Sequence, residues 1–169
     1  ERFEIVNGQY IDQLREDGKC GIFVSAHFAN WELPPLTSAK RTPPLPVHMI
    51  YREPDNPHMR ELFAKRKPSP DCQLIPKGSK GARQALNLLK NGEHLAVLVD
   101  QKMNDGIAVP FFGRDAMTAP AVAQFVLKFD CPIIPMRTEH IDGTKFRMTF
   151  YPPIEIEKSG DRKADILAI

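Results

Sequence analysis

The sequence predicts an α/β protein of three layers, with a mostly parallel central sheet between helices and an antiparallel hairpin at one edge. Short apolar runs alternate with amphipathic segments through about the first 130 residues, the pattern of βαβ units. Several of these runs are too short for core helices. The last two runs are joined by Asp142-Gly143, a dipeptide typical of tight hairpin turns.

The chain opens with residues 1–19, whose spaced apolar side chains predict a short amphipathic helix ending near Gly18. Residues 20–26 are an apolar run that fits a buried strand. The helix after this strand should be short, because Pro34-Pro35 interrupts its pattern. Residues 37–46 then form a polar, proline-rich connection.

A second strand is predicted at residues 46–51, followed by a helix at about 56–66 with its apolar residues on one face. Residues 72–75 form a short third strand. The helix at 79–91 has the clearest pattern, with Ser79 as its cap and an apolar stripe along its length.

Residues 94–99 are predicted to be a central strand, and residues 102–117 a long loop. Thr118 is then expected to cap a mostly buried helix. The strands at 132–139 and 145–151 complete the sheet as its antiparallel edge. We expect one domain over residues 1–169, an excerpt that lacks an N-terminal membrane anchor and C-terminal helices.

The composition is that of an ordinary globular domain, with 42% hydrophobic and 26% charged residues. A formal net charge of +2 is too small to indicate a nucleic-acid partner. The three widely spaced cysteines are typical of free thiols, and neither they nor the five histidines have the spacing of metal ligands. No apolar run approaches the roughly 18 residues of a membrane span.

Chemistry is expected where the first core strand ends, since open α/β sheets bind ligands outside the carboxyl ends of their strands. This strand leads to His27 and, five residues later, Glu32. On one helix the two side chains would point roughly 140° apart. We therefore expect a helix that begins near Ala29 or Asn30 and returns Glu32 to the imidazole. Glu32 would fix the tautomer and leave the other nitrogen as a base; a structural His–acid pair is the alternative.

Two further groups could take part. Ser25 is a rival nucleophile, but Phe23 and His27 replace the glycines of the serine-hydrolase elbow. Lys77 and Lys80 stand at a helix start that could bind phosphate, although a solvated turn is the simpler interpretation.

The motif H-F-x-N-W-E at residues 27–32 resembles that of the late acyltransferases of lipid A biosynthesis, the lauroyl/myristoyl transferase family. It is similar to the His-x4-Asp/Glu motif of the wider lysophospholipid and glycerolipid acyltransferases, whose fold we expect here. Other blocks match in the same order: MIYREPDNPHM at 49–59, LVDQK at 98–102 and VPFFGRDAMTAP at 109–120.

The resemblance implies an acyltransferase that moves a fatty acyl group from an acyl-carrier-protein or coenzyme A thioester to a hydroxyl of a lipid A precursor. It implies no metal or other cofactor, an anionic lipid acceptor, and work at a membrane surface, on the cytoplasmic face of the bacterial inner membrane. A phospholipid or glycolipid acceptor, such as a mannosylated phosphoinositide, is the alternative within the class. A serine esterase using Ser25 and an inactive lipid-binding module are alternatives outside it.

Substrate-binding residues are predicted from position and from the resemblance together. Arg52 leaves the second strand and is expected to hold a phosphate, with a salt bridge to Glu53 or Asp55 as the alternative. Asp100 and Gln101 end a central strand and should face the same crevice, unless Asp100 caps a turn.

The motif blocks supply the remaining candidates for contact with substrate, which are Asn30, Phe111, Phe112, Gly113 and Thr118. The resemblance implies that Phe111-Phe112-Gly113 lines an acyl channel, and core packing is the alternative.

Overall fold

The computed structural model describes residues 2–65 and 67–169. The strands are β1 (Phe3–Val6), β2 (Gly21–Ser25), β3 (Val47–Tyr51), β4 (Leu74–Pro76), β5 (His94–Leu98), β6 (Ile107–Phe111), β7 (Arg114–Thr118), β8 (Ile133–Asp142) and β9 (Lys145–Phe150). The helices are α1 (Gln9–Glu16), α2 (Leu33–Ala39), α3 (Pro57–Lys65), α4 (Ser79–Lys90), α5 (Ala121–Phe129) and α6 (Arg162–Ala168).

Seven strands form one sheet in the order β1-β9-β8-β2-β5-β3-β4, and β6 and β7 form a separate antiparallel pair. Every pairing in the large sheet is parallel except β8 with β9. The predicted fold class, mixed α/β with a mostly parallel sheet and an antiparallel hairpin, is therefore confirmed. The hairpin β8–β9 lies one strand in from the edge, because β1 pairs with the outer side of β9.

Two apolar cores cover the two faces of the large sheet. Neighbouring residues along a strand point to opposite faces, so Ile22 packs against α4 and α5 while Phe23 packs against α1. Full burial of such a side chain stabilises the folded state by about 1.5–3 kcal/mol relative to leaving it exposed. The two cores fix the strands in place. The strands in turn position the chain segments that follow them.

The register brings the carboxyl ends of four strands to one edge. Ser25 of β2 pairs with Leu98 of β5, and Tyr51 of β3 pairs with Pro76 of β4. Because these strands are parallel, the segments that follow them all leave on the same side. We call this side, formed by the residues directly after these four strands, the carboxyl edge.

The first helix is shorter than predicted. Residues 3–6 form β1 instead of a helical turn, and Asn7 with φ 59° separates β1 from α1. The edge of β9 offers unpaired backbone groups that β1 satisfies, an outcome of tertiary pairing that helical spacing cannot reveal. The end of α1 at Glu16, before Gly18, agrees with the prediction.

The helix after β2 begins at Leu33, not near Ala29 or Asn30. Pro34 and Pro35 lie in its first turn, where a proline has no helical hydrogen bond to lose, so they start the helix instead of interrupting it. The helix continues to Ala39, and the predicted connection at 37–46 is correspondingly shorter.

The predicted loop at 102–117 contains the hairpin β6–β7. Its turn is Phe112-Gly113, with φ values of 46° and 76°, and two positive φ values are typical of a type I′ turn. Phenylalanine is an unusual residue for this position, so the turn gave no signal in the sequence. Thr118 is the last residue of β7 and not a helix cap; its hydroxyl donates to the Ala116 carbonyl at 3.0 Å.

The predicted helices at 56–66 and 79–91 are present as α3 and α4, and residue 66 lies outside the described residues. Gly78, not Ser79, is the N-cap of α4. A Cβ on Gly81 would come within 1.6 Å of the Pro76 carbonyl oxygen, so glycine lets α4 start close against β4. Within the described residues, no helix combines the length and apolar character that crossing a membrane requires.

Candidate active site

His27 lies at the centre of a tight turn on the carboxyl edge. The Phe28 amide donates to the Ala26 carbonyl at 2.7 Å, which closes a three-residue turn around His27. Ala29 follows with φ 43°, a left-handed conformation that is rare for a residue with a side chain. The turn directs the imidazole away from the core, and its side chain is 36% exposed.

Asp100 holds His27 at two points. Its Oδ1 lies 2.7 Å from His27 Nδ1, and its Oδ2 accepts from the His27 backbone amide at 2.9 Å. An ionised carboxylate can only accept hydrogen bonds, so Nδ1 must carry the proton. His27 Nε2 then keeps a lone pair, as a general base requires.

The hydrogen bonds from His27 also keep Asp100 ionised. Partial burial by itself raises the pKa of Asp100, but the bonds from the His27 amide and imidazole together outweigh it and lower the pKa below the usual 3.8. Asp100 therefore remains an acceptor at neutral pH and keeps the proton of His27 on Nδ1.

Gln101 and Lys77 lie on the other side of the ring. Gln101 Nε2 is 3.4 Å from His27 Nε2, and Lys77 Nζ donates to Gln101 Oε1 at 2.5 Å. Trp31 meets the imidazole edge to face, with 5.3 Å between ring centroids. Three segments that follow β2, β4 and β5 thus converge on one histidine.

The family model for bacterial lipid A biosynthesis acyltransferases matches residues 1–168. The chain belongs to this family. Among curated proteins, none matches the chain. Membership makes the protein an acyltransferase, and the arrangement around His27 is its candidate centre.

The carboxylate on His27 of this acyltransferase is that of Asp100, whereas the sequence predicted Glu32 there. Glu32 is the N-cap of α2, outside the first helical turn in which it was expected, because the helix starts later. Asp100 takes the place because β2 and β5 are neighbours: the Val99 amide donates to the Ser25 carbonyl at 2.9 Å, directly before Asp100 reaches His27. A catalytic role for Glu32 stays a prediction.

Ser25, the rival nucleophile, is buried at 7% exposure. Its hydroxyl donates to the Met136 carbonyl at 2.8 Å, across the neighbouring strand β8. A nucleophilic serine needs its proton taken by a base, and here that proton is bound to a backbone carbonyl. Among the described residues, the hydroxyl of Ser25 donates only to backbone carbonyls, and its role as a nucleophile stays an untested alternative.

Arg52 directly follows β3 on the carboxyl edge and is exposed. Among the described residues, neither Glu53 nor Asp55 forms an ion pair with Arg52, and Glu53 lies 3.8 Å from Arg60. Asn30 is also exposed, and its carbonyl accepts from the Leu33 amide at 3.0 Å, which closes the turn before α2. The structure therefore joins His27 directly to Asp100 and Gln101, while Arg52 and Asn30 are placed on neighbouring segments.

Phe111, Phe112 and Gly113 form the tip of the β6–β7 hairpin. Phe111 is 64% and Phe112 92% exposed, and their rings meet edge to face at 4.7 Å between centroids. This exposure excludes core packing as their role. Contact with an acyl chain stays a prediction, as does a substrate contact for Thr118.

A second histidine–carboxylate pair shows the structural counterpart of this arrangement. His48 is fully buried, its Nε2 lies 2.5 Å from Glu93 Oε2, and its Nδ1 accepts from the Gln73 amide at 3.0 Å. His48 is thus closed off from substrate, and a backbone amide in the core holds its lone pair, so it cannot act as a base. Over the described ranges, no three His, Cys, Asp or Glu side chains are grouped so that they could hold a metal ion.

Proposed function

We propose that this acyltransferase moves a fatty acyl group directly from an acyl-carrier-protein or coenzyme A thioester to a hydroxyl of a lipid A precursor. The proposal rests on the environment of His27. Its Nδ1 is bound to Asp100, and its imidazole is partly exposed at the carboxyl edge. Family membership supplies the reaction class.

His27 Nε2 takes the proton of the acceptor hydroxyl while the hydroxyl oxygen attacks the thioester carbonyl carbon. The tetrahedral intermediate then expels the sulfur, and the proton on His27 passes to the leaving thiolate. Asp100 stabilises the imidazolium that exists between the two steps. General-base assistance of this kind typically contributes about 10²–10⁴ in rate.

Arg52 is proposed to hold a phosphate of the anionic acceptor or of the donor. Its guanidinium is exposed, and among the described residues it has no ion-pair partner, so it is available to a ligand. Arginine matches phosphate oxygens with two parallel hydrogen bonds. Asn30, three residues after His27, is proposed to contact substrate at the same edge, and Glu32, five residues after His27, is proposed to contribute to turnover and not to donor binding.

The reaction is proposed to take place at a membrane surface, on the cytoplasmic face of the bacterial inner membrane. The exposed pair Phe111 and Phe112 supports this part, since aromatic rings at a hairpin tip suit the boundary between lipid headgroups and chains. A lipid acceptor would then not need to leave the bilayer completely.

Lipid mass spectrometry tests the function. The full chain is incubated with lauroyl-acyl-carrier protein or lauroyl-CoA and a lipid A precursor, and a parallel sample receives a mannosylated phosphoinositide. We expect one added acyl group on the lipid A precursor. Acylation of the phosphoinositide alone would show that the alternative acceptor is the substrate.

Intact-protein mass spectrometry with donor alone tests the direct transfer. We expect no change in protein mass, because Ser25 is buried and its hydroxyl is bound to Met136. A stoichiometric acyl adduct on Ser25 would support the esterase alternative and refute direct transfer.

A further inference from the structure

A chain of polar side chains leads from Lys77 through Gln101 to His27. Lys77 follows β4 and Gln101 follows β5, and both are exposed at the carboxyl edge. The Lys77 ammonium donates to Gln101 Oε1 at 2.5 Å, and Gln101 Nε2 lies 3.4 Å from His27 Nε2.

The orientation of the Gln101 amide follows from the chemistry of its neighbour. A lysine ammonium has three donors and no acceptor, so only the amide oxygen can face it. The amide NH₂ group must then face His27, on the side of the nitrogen that keeps the lone pair. Lys77 thus fixes which end of Gln101 faces the reacting groups.

The NH₂ group of Gln101 lies where negative charge develops. A hydroxyl held by the base is about 3 Å from Nε2, so the thioester oxygen that becomes negative lies within about 5 Å of Nε2. A donor 3.4 Å from Nε2 can reach that oxygen without a change of backbone. The positive charge of Lys77 polarises the amide, which makes its N–H groups stronger donors.

We propose that Gln101 donates a hydrogen bond to the oxyanion of the transition state, and that Lys77 is the positioning residue for Gln101. The inference rests on the proposed function, because it assumes acyl transfer with His27 as the base. It gives Lys77 a role different from the solvated turn or the direct phosphate contact considered from the sequence.

A double-mutant cycle tests the inference. Turnover of lauroyl-CoA with a lipid A precursor is measured for Gln101→Met, Lys77→Met and the double variant. Loss of an oxyanion donor typically costs about 10²–10³ in kcat, so Gln101→Met should fall by that factor with KM for the acceptor nearly unchanged. Lys77→Met should lose about 10-fold in kcat, and the double variant should match Gln101→Met, because Lys77 acts through Gln101.

Two further variants complete the design. Lys77→Arg keeps a cationic donor and should restore most of the lost kcat. Lys90→Met removes an exposed lysine at the opposite end of α4 and should leave kcat and KM unchanged. Thermal unfolding of each variant verifies the fold, which these exposed side chains should hardly affect.

The outcomes separate this inference from the proposed function. Multiplicative losses for Lys77→Met and Gln101→Met, or a raised acceptor KM for Lys77→Met, would overturn the inference and make Lys77 a substrate-binding residue. A wild-type protein without turnover would overturn the proposed function, and the inference with it.

Discussion

The environment of a single nitrogen atom separates the two histidine–carboxylate pairs of this protein. His48 is buried, and the lone pair on its Nδ1 accepts from the Gln73 backbone amide, whereas the lone pair on His27 Nε2 faces the exposed side chain of Gln101 at the carboxyl edge. A backbone amide in the core cannot give way to a substrate hydroxyl, but an exposed glutamine side chain can, and this difference decides which histidine can act as a base. His48 therefore forms a structural histidine–acid pair, which is the alternative that the sequence left open for His27.

Asp100 should matter more than Glu32 for the protonation of His27. Asp100→Asn introduces an amide that can donate to Nδ1, which reverses the tautomer and places the proton on Nε2. We expect kcat to fall by about 10²–10⁴-fold, the range of general-base assistance. Glu32→Gln should lower kcat less and leave donor KM nearly unchanged. Steady-state kinetics of both variants measure the two losses in kcat. A larger loss of kcat in Glu32→Gln than in Asp100→Asn would indicate that Glu32 orients His27.

Arg52→Lys tests the proposed phosphate contact. A lysine keeps the charge but loses the planar fork, so kcat/KM should fall by a factor equivalent to roughly 1.5–3 kcal/mol, the range for hydrogen bonds to charged groups. The melting temperature should hardly change, since Arg52 is exposed.

Arg60→Lys is the matched control for Arg52→Lys. Arg60 lies 3.8 Å from Glu53 in an exposed ion pair and also donates to the Pro54 and Asp55 carbonyls at 2.8 and 3.2 Å, so the change should cost about 1–2 kcal/mol of stability and leave kinetics unaltered. Equal kcat/KM for Arg52→Lys and the wild type would count decisively against the phosphate contact.

Much of the site could be predicted residue by residue. His27, Asp100, Gln101 and Arg52 were predicted at one edge because each follows an apolar run, and parallel strands end on the same side. The contact between His27 and Asp100 could not be predicted, because it depends on β2 and β5 being neighbours. Lys77 was interpreted as a solvated turn for the same reason, since its partner Gln101 lies 24 residues further along the chain.

At the scale of elements, the hairpin β6–β7 differs most from the prediction, because it lies within residues 102–117, where the sequence predicts a loop. None of its strand residues is buried, Pro110 lies within β6, and its tip holds two exposed aromatic rings. Helix α2 begins at Leu33, later than its sequence predicts, because Pro34 and Pro35 are tolerated in its first turn and do not break the helix. Strand β2 and helix α4, with strong apolar patterns, were located correctly.

Phe112→Ser tests contact between the hairpin tip and a membrane. The wild-type ring is 92% exposed, and its loss should weaken binding to vesicles that contain anionic phospholipid by about 10-fold, because interfacial binding scales with buried apolar area. Cosedimentation with such vesicles measures the effect.

Ile154→Ser is a suitable control for Phe112→Ser. Ile154 is 45% exposed, and its amide donates to Ile133 at the start of β8, on the side opposite the carboxyl edge. Its variant should bind vesicles like the wild type. Equal binding by Phe112→Ser and the wild type would exclude the hairpin tip from the membrane contact.

At the scale of the whole molecule, fold class was predictable and strand order was not. Alternating strands and helices indicated a parallel sheet covered on both faces, which the two apolar cores confirm. The position of β1 outside β9 depends on an edge that forms only when the chain has folded. Local sequence patterns carry no information on such pairings.

Stability should depend on pH through His94. Burial lowers the pKa of His94 below its ordinary 6.5, and its Nδ1 has no hydrogen-bond partner among the described residues. The unfolded chain therefore binds a proton first as pH falls. Stability is full above about pH 6.5 and is lost as pH decreases towards the lower folded-state pKa.

Thermal unfolding from about pH 7.5 to about pH 4.5 measures this dependence. In His94→Gln the decrease of Tm with falling pH should be smaller than in the wild type. Thr144→Ser, an exposed substitution that changes no titratable group, should leave the slope unchanged. An identical slope in His94→Gln and the wild type would show that another group controls acid stability.

Turnover of His27→Ala tests whether His27 is the base of an acyl transfer. The full chain is assayed with lauroyl-acyl-carrier protein and a lipid A precursor, beside His140→Ala as an exposed-histidine control. We predict that kcat of His27→Ala falls by about 10²–10⁴-fold, with Tm within about 2 °C of the wild type. Near-normal turnover by a folded His27→Ala protein would contradict it.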